Sequence, residues 1–108
     1  RGRGKVPEKR KNKRAPPLTY NAFIMFYVYA LKSLKDGSLY IGSTNDLKRR
    51  IAEHNKGEGM STKKRSPFEL VYYEAYKAEK DARYREHNLK RFAVAHYHLK
   101  KRIACSLA

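Results

Sequence analysis

The strongest constraint on this fold is a turn between two strand-like runs. Phe26 to Leu31 reads FYVYAL and Ser38 to Gly42 reads SLYIG, both rich in β-branched and aromatic residues. Between them stands Lys35-Asp36-Gly37, a turn signal in which Gly37 can take positive φ. The two runs therefore pair as a β-hairpin. Beyond it, Ser43, Thr44 or Asn45 is expected to cap a helix, with Asp46 complementing the positive end of its dipole. Leu47, Ile51 and His54 repeat at helical spacing, and Gly57 stops the pattern.

Residues 57–67, GEGMSTKKRSP, read as a mobile loop. A third strand follows over Phe68 to Tyr76. Glu79 to Phe92 is expected as a helix with Ala82, Glu86, Leu89 and Ala93 on one stripe, and a basic helix should cover about Ala95 to Ala104. The order β-β-α-β-α-α predicts an α+β domain, a small three-stranded antiparallel sheet flanked by helices. Residues 1–24 form a separate region: the first 18 carry eight Lys or Arg against one Glu, are interrupted by three prolines and lack hydrophobic periodicity. They are expected to be a disordered basic tail, with the domain over 25–108.

An apolar content of 41% suffices for a modest single core. The charge is less ordinary: 26 Lys and Arg oppose 10 acidic residues, giving +16. Such an excess points to a polyanionic partner, nucleic acid before an anionic membrane surface. No apolar run approaches the roughly 18 residues of a membrane span, and no signal peptide is expected. Cys105, the single cysteine, has no disulfide partner within the chain, which fits a cytoplasmic, reducing compartment.

Three features depart from a plain fold. Tyr27 and Tyr29 share one strand face, and Tyr40, across the turn, can bring a second phenol beside Tyr29. Arg50 lies at i+3 from Leu47 and four before His54, on the inward stripe, where a guanidinium is costly unless it meets an anion. Glu86 falls between Ala82 and Leu89, where a buried carboxylate needs a cation. Each has an ordinary explanation: strand aromatics usually pack, arginines snorkel, and Glu86 can pair with Lys90 at i+4.

Together they resemble the GIY-YIG nuclease superfamily. Tyr27-Val28-Tyr29 and Tyr40-Ile41-Gly42 are similar to its two half-motifs, with Tyr27 where the family often has Gly. The run STNDLKRRIAEHN resembles its arginine-bearing helix and ARYREHNLKRF its glutamate-bearing one. The resemblance spans about Phe26 to Phe92 and looks strongest to short, stand-alone bacterial proteins similar to the nuclease module of the excision-repair nuclease subunit.

What the resemblance implies is a DNA endonuclease, serving repair or processing, that uses one divalent cation, Mg²⁺ or Mn²⁺. It puts the metal on Glu86, the phosphate on Arg50, proton acceptance on the Tyr29–Tyr40 pair and a supporting role on His54. Lys48, Lys63, Lys64 and Arg65, with Lys90 nearer the site, are expected to line the DNA track through backbone contacts. DNA is expected over RNA as partner, and the oligomeric state is open. The alternative is a non-catalytic DNA- or RNA-binding module on the same fold. Inward-facing Arg50 and Glu86, which binding alone does not require, favour the enzyme.

Overall fold

The computed structural model describes residues 24–59 and 62–108. The tail expected over 1–24 lies outside these, apart from Ile24. Strands β1 (Phe26–Ser33), β2 (Leu39–Thr44) and β3 (Phe68–Tyr76) form one antiparallel sheet in the order β2-β1-β3. Helices α1 (Leu47–Asn55), α2 (Glu79–Arg91), α3 (Ala93–Arg102) and the short α4 (Ala104–Leu107) flank it. This is the α+β arrangement expected.

The hairpin closes as its turn residues dictate. Gly37 has φ +77°, and its N–H donates to the Ser33 carbonyl at 2.8 Å. Side-chain alternation then divides the sheet into two cores. Val28, Ala30 and Ile41 face Ala82 and Leu89 of α2, Leu99 of α3 and Ile103. On the opposite face, Tyr29, Leu31 and Phe68 pack with Tyr40, Leu70 and the α1 residues Leu47 and Ile51. Burial of each large aliphatic side chain contributes about 2 kcal/mol.

Asp46 itself caps α1, its carboxylate accepting from Arg49 N–H at 3.1 Å. This corrects the expected cap: Ser43 and Thr44 still belong to β2, and Thr44 Oγ1 instead accepts from Asp46 N–H. Gly57, with φ +79°, follows the end of α1 as expected. Asn55 ties that end to β3, accepting from Phe68 N–H at 2.6 Å and donating to its carbonyl at 3.2 Å. Within the expected loop, Lys63–Arg65 form a 3₁₀ turn.

The expected apolar stripe of α2 fails at Ala93, which is exposed. Phe92 adopts extended backbone angles, φ −108° and ψ 116°, so the helical phase breaks before Ala93 opens α3. The last helix therefore starts and stops about two residues earlier than expected, with α4 beyond it.

Two consecutive residues fix α2 across the sheet. Arg85 reaches β3, where its guanidinium donates to both oxygens of Glu74 at 3.0–3.1 Å, and the Tyr72 and Tyr76 hydroxyls donate to the same carboxylate. Glu86 points the other way, toward β2, and accepts from Ser43 Oγ at 2.7 Å. Among the described residues, no helix is long and apolar enough to cross a membrane.

Candidate active site

Tyr29 and Tyr40 stand on the same sheet face with ring centroids 6.5 Å apart. The cross-strand partner of Tyr29 is Gly42, and the Tyr29 ring lies directly over it. A Cβ at position 42 would meet Tyr29 Cζ at 2.6 Å and its hydroxyl closer still. The glycine is there because the phenol occupies the space. Tyr27 shares the face, as alternation requires, but makes an edge contact with Tyr73 at 5.8 Å.

Behind the phenols, His54 is fully buried. Its Nε2 lies 3.0 Å from the Tyr29 hydroxyl and its Nδ1 2.6 Å from Thr62 Oγ1. The Thr62 hydroxyl donates to the Gly59 carbonyl at 3.3 Å, so it accepts from His54 Nδ1–H. Nε2 is left as an acceptor, and Tyr29 donates to it. Burial, aided by the Arg50 charge, holds the imidazole below its ordinary pKa, consistent with a neutral ring. Gly59 is as constrained as Gly42: a Cβ there would meet Thr62 Oγ1 at 2.5 Å and His54 Nδ1 at 2.6 Å.

Arg50 leaves α1 beside Tyr29. Its Nη1 donates to Glu53 at 2.9 Å, and its side chain is 34% exposed. The anion expected for this inward arginine is thus supplied partly by its own helix, which raises its pKa. One of five donors is engaged there, leaving others for a phosphate. The neighbouring Arg49 is solvated, as read from the sequence. Burial pushes the Tyr29 phenol up to about 12; the Arg50 guanidinium pulls the other way but does not win. For Tyr29, desolvation of the phenolate is the larger effect.

Glu86 approaches from the other side of the β2 edge. Ser43 Oγ lies 2.7 Å from Oε1, and Lys90 Nζ lies 2.8 Å from Oε2. Burial pushes this carboxyl up, but Lys90 and Ser43 together outweigh it and keep it below the ordinary glutamate value. Lys90 Nζ also sits 5.8 Å from the centre of the Tyr40 ring, joining the carboxylate to the phenols. Of the sequence alternatives for Glu86, the pair with Lys90 is present. An ionised, half-buried carboxylate already holding one cation suits a divalent metal that keeps most of its waters. Among the described residues, no group of three His, Cys, Asp or Glu side chains offers a fuller cage.

The remaining basic residues are not gathered here. Lys48 is exposed on α1. Lys63, Lys64 and Arg65 stand on the 3₁₀ turn at the hairpin end of the sheet, where the Lys64 carbonyl accepts from Lys35 Nζ and Arg65 donates to Ser38 Oγ at 3.0 Å. Arg65 therefore braces the hairpin turn. Sequence reasoning missed Ser43, Thr62 and Gly59 as parts of the site. Strand alternation signals Ser43, which shares the Ile41 face toward α2; Thr62 has no such signal, because its partner comes from a helix eight residues earlier.

The profile of the GIY-YIG catalytic domain matches residues 25–97. A UPF0213 protein of Staphylococcus saprophyticus is 44% identical over 68 residues, 62% of this chain and 82% of that protein. Another, from Clostridium perfringens, is 47% identical over 68 residues, 62% of this chain and 72% of its own. A third, from Natronomonas pharaonis, is 44% identical over 70 residues, or 64% and 81%. These relatives are short, since the matched stretch makes up most of each. No solved structure matches the chain.

Proposed function

The chain belongs to the GIY-YIG family, and we propose that it is an endonuclease that hydrolyses DNA phosphodiester bonds with one divalent cation at Glu86. One observation carries this reading: the Tyr29 and Tyr40 rings lie 6.5 Å apart, and Lys90, on a different element and 2.8 Å from Glu86, stands 5.8 Å from the Tyr40 ring centre. A binding module needs no such convergence.

Hydrolysis requires a positioned phosphate, an acceptor for the proton of the attacking water, and stabilisation of the leaving oxygen. Arg50 binds the non-bridging oxygens, more strongly as charge builds in the transition state. Tyr29 has a phenol near pKa 12 that already donates to His54, so it positions rather than accepts. Tyr40, half-buried at the open edge, takes the proton of the water as its phenolate and becomes the phenol. His54 and Thr62 hold Tyr29 in place. Glu86 would hold the Mg²⁺ or Mn²⁺, whose Lewis acidity would favour departure of the 3′ oxygen. The products are a 5′ phosphate and a 3′ hydroxyl, in DNA repair or processing.

The test is a cleavage panel on duplex, nicked, branched and single-stranded DNA with Mg²⁺, Mn²⁺ or chelator. Cutting is expected with either ion and none in chelator. Undiminished cutting in excess chelator removes the mechanism; no cutting of any substrate with either ion returns the chain to a binding module.

A further inference from the structure

A cleft of about 580 Å³ opens between the β2 edge and the α2–α3 junction. We propose that it is a nucleotide subsite, taking one unstacked base of the substrate strand beside the phosphate to be cut. Its size lies within the roughly 300–1,000 Å³ of small-ligand sites. Its position is continuous with the candidate active site, because Tyr40 and Lys90 line both.

The chemistry of its walls selects the occupant. Phe92 and Tyr97, 52% and 56% exposed, both line it, so two aromatic rings open onto one cleft. The extended break at Phe92 turns that ring out of the α2 stripe and lets α3 bring Tyr97 to the same cleft. Exposed Lys90, Arg91 and Lys100 stand among the rings, and among the described residues no carboxylate lines the cleft. Lys101 adds a charge 5.7 Å from the Tyr97 ring centre. Aromatic faces beside cations, Lys90 paired with Glu86 and Arg91 and Lys100 exposed, are what a base and its phosphates need; an apolar peptide does not need the cations.

The placement beside a cut phosphate rests on the nuclease reading, but the test of binding does not. A single-stranded oligodeoxynucleotide carrying 2-aminopurine is titrated with the full chain in chelator, against the matching duplex. Phe92→Ala, Tyr97→Ala and the double variant are compared with Phe92→Tyr and Tyr97→Phe, with folding checked by thermal melting. Fluorescence quenching is expected with wild type. The preference for single strand over duplex should fall about tenfold in each alanine variant, more in the double, and be kept by the aromatic exchanges. An unchanged preference in the double variant overturns the subsite. So does a concentration-dependent dimer that the double variant disrupts, since the cleft then belongs to a second copy. Wild type that binds through these rings yet never cuts removes the nuclease and leaves a nucleotide-binding cleft. Wild type that cuts while the double variant keeps its preference removes the subsite alone.

Discussion

The hydroxyl of Tyr29 lies 3.0 Å from Nε2 of His54, and neither residue exposes more than 1% of its surface. The contact makes the tyrosine a donor and the imidazole an acceptor, and it locks both against the sheet. A buried pair of this kind is a positioning device, and its signature is pH dependence of stability. Burial and Arg50 hold the folded imidazole below its ordinary pKa of 6.5. Below that pH the unfolded chain takes up a proton that the folded chain refuses. The contribution is complete above about pH 6.5 and is lost as pH falls toward the folded value. Between about pH 7 and 5.5, wild-type Tm should therefore fall, and His54→Gln, less stable overall, should show a flatter profile. Parallel profiles across that window would place the titration elsewhere.

Gly42→Ala should displace the Tyr29 ring, because the new methyl would meet Tyr29 Cζ at 2.6 Å. Forcing a methyl into a packed site costs about 1–3 kcal/mol, and cleavage should be lost with the phenol's position. Gly37→Ala is the comparison: it has no atom within 4 Å but a strained φ of +77°. It should cost about 1 kcal/mol and leave cleavage per folded molecule alone. Chemical denaturation and cleavage of the same preparations separate the two.

Glu86→Gln should reduce cleavage on the order of 100-fold or more while DNA binding holds or tightens. A carboxylate that holds a catalytic cation is worth about 3 kcal/mol or more to the transition state. The variant also releases Lys90, now 2.8 Å from the carboxylate, to face the DNA. Wild-type turnover in the folded variant, checked by circular dichroism, would return Glu86 to a plain i,i+4 partner of Lys90.

Glu74→Ala should loosen α2 from β3. Removing one partner of a buried ion pair costs about 3–5 kcal/mol, but Arg85 is 30% exposed and water relieves part of this, so about 2 kcal/mol is expected. Arg85 and Glu86 are neighbours on one helix, so cleavage per folded molecule should fall as well, with DNA affinity unchanged. Loss of stability with full turnover would show that Ser43 alone fixes Glu86.

The strands and the main helices were legible along the chain. Period-two alternation put Tyr29 and Tyr40 on one face, and Gly37 and Gly57 took the positive φ values that their turn and helix-end positions required. Such features are local: each depends on a few neighbours along the chain. Whatever depends on distant groups meeting was not legible along the chain. The acceptor role of His54 comes from Thr62 and Gly59, and the anchoring of Glu86 comes from Ser43, 43 residues away. The helical repeat read through Phe92 failed at Ala93 because one extended residue resets the phase, and periodicity alone does not register a single-residue break. The pKa of Tyr29 was equally hidden. Arg50 one helix away is legible in sequence, but how much water the phenol loses is a property of the packed core, and that loss outweighs the charge.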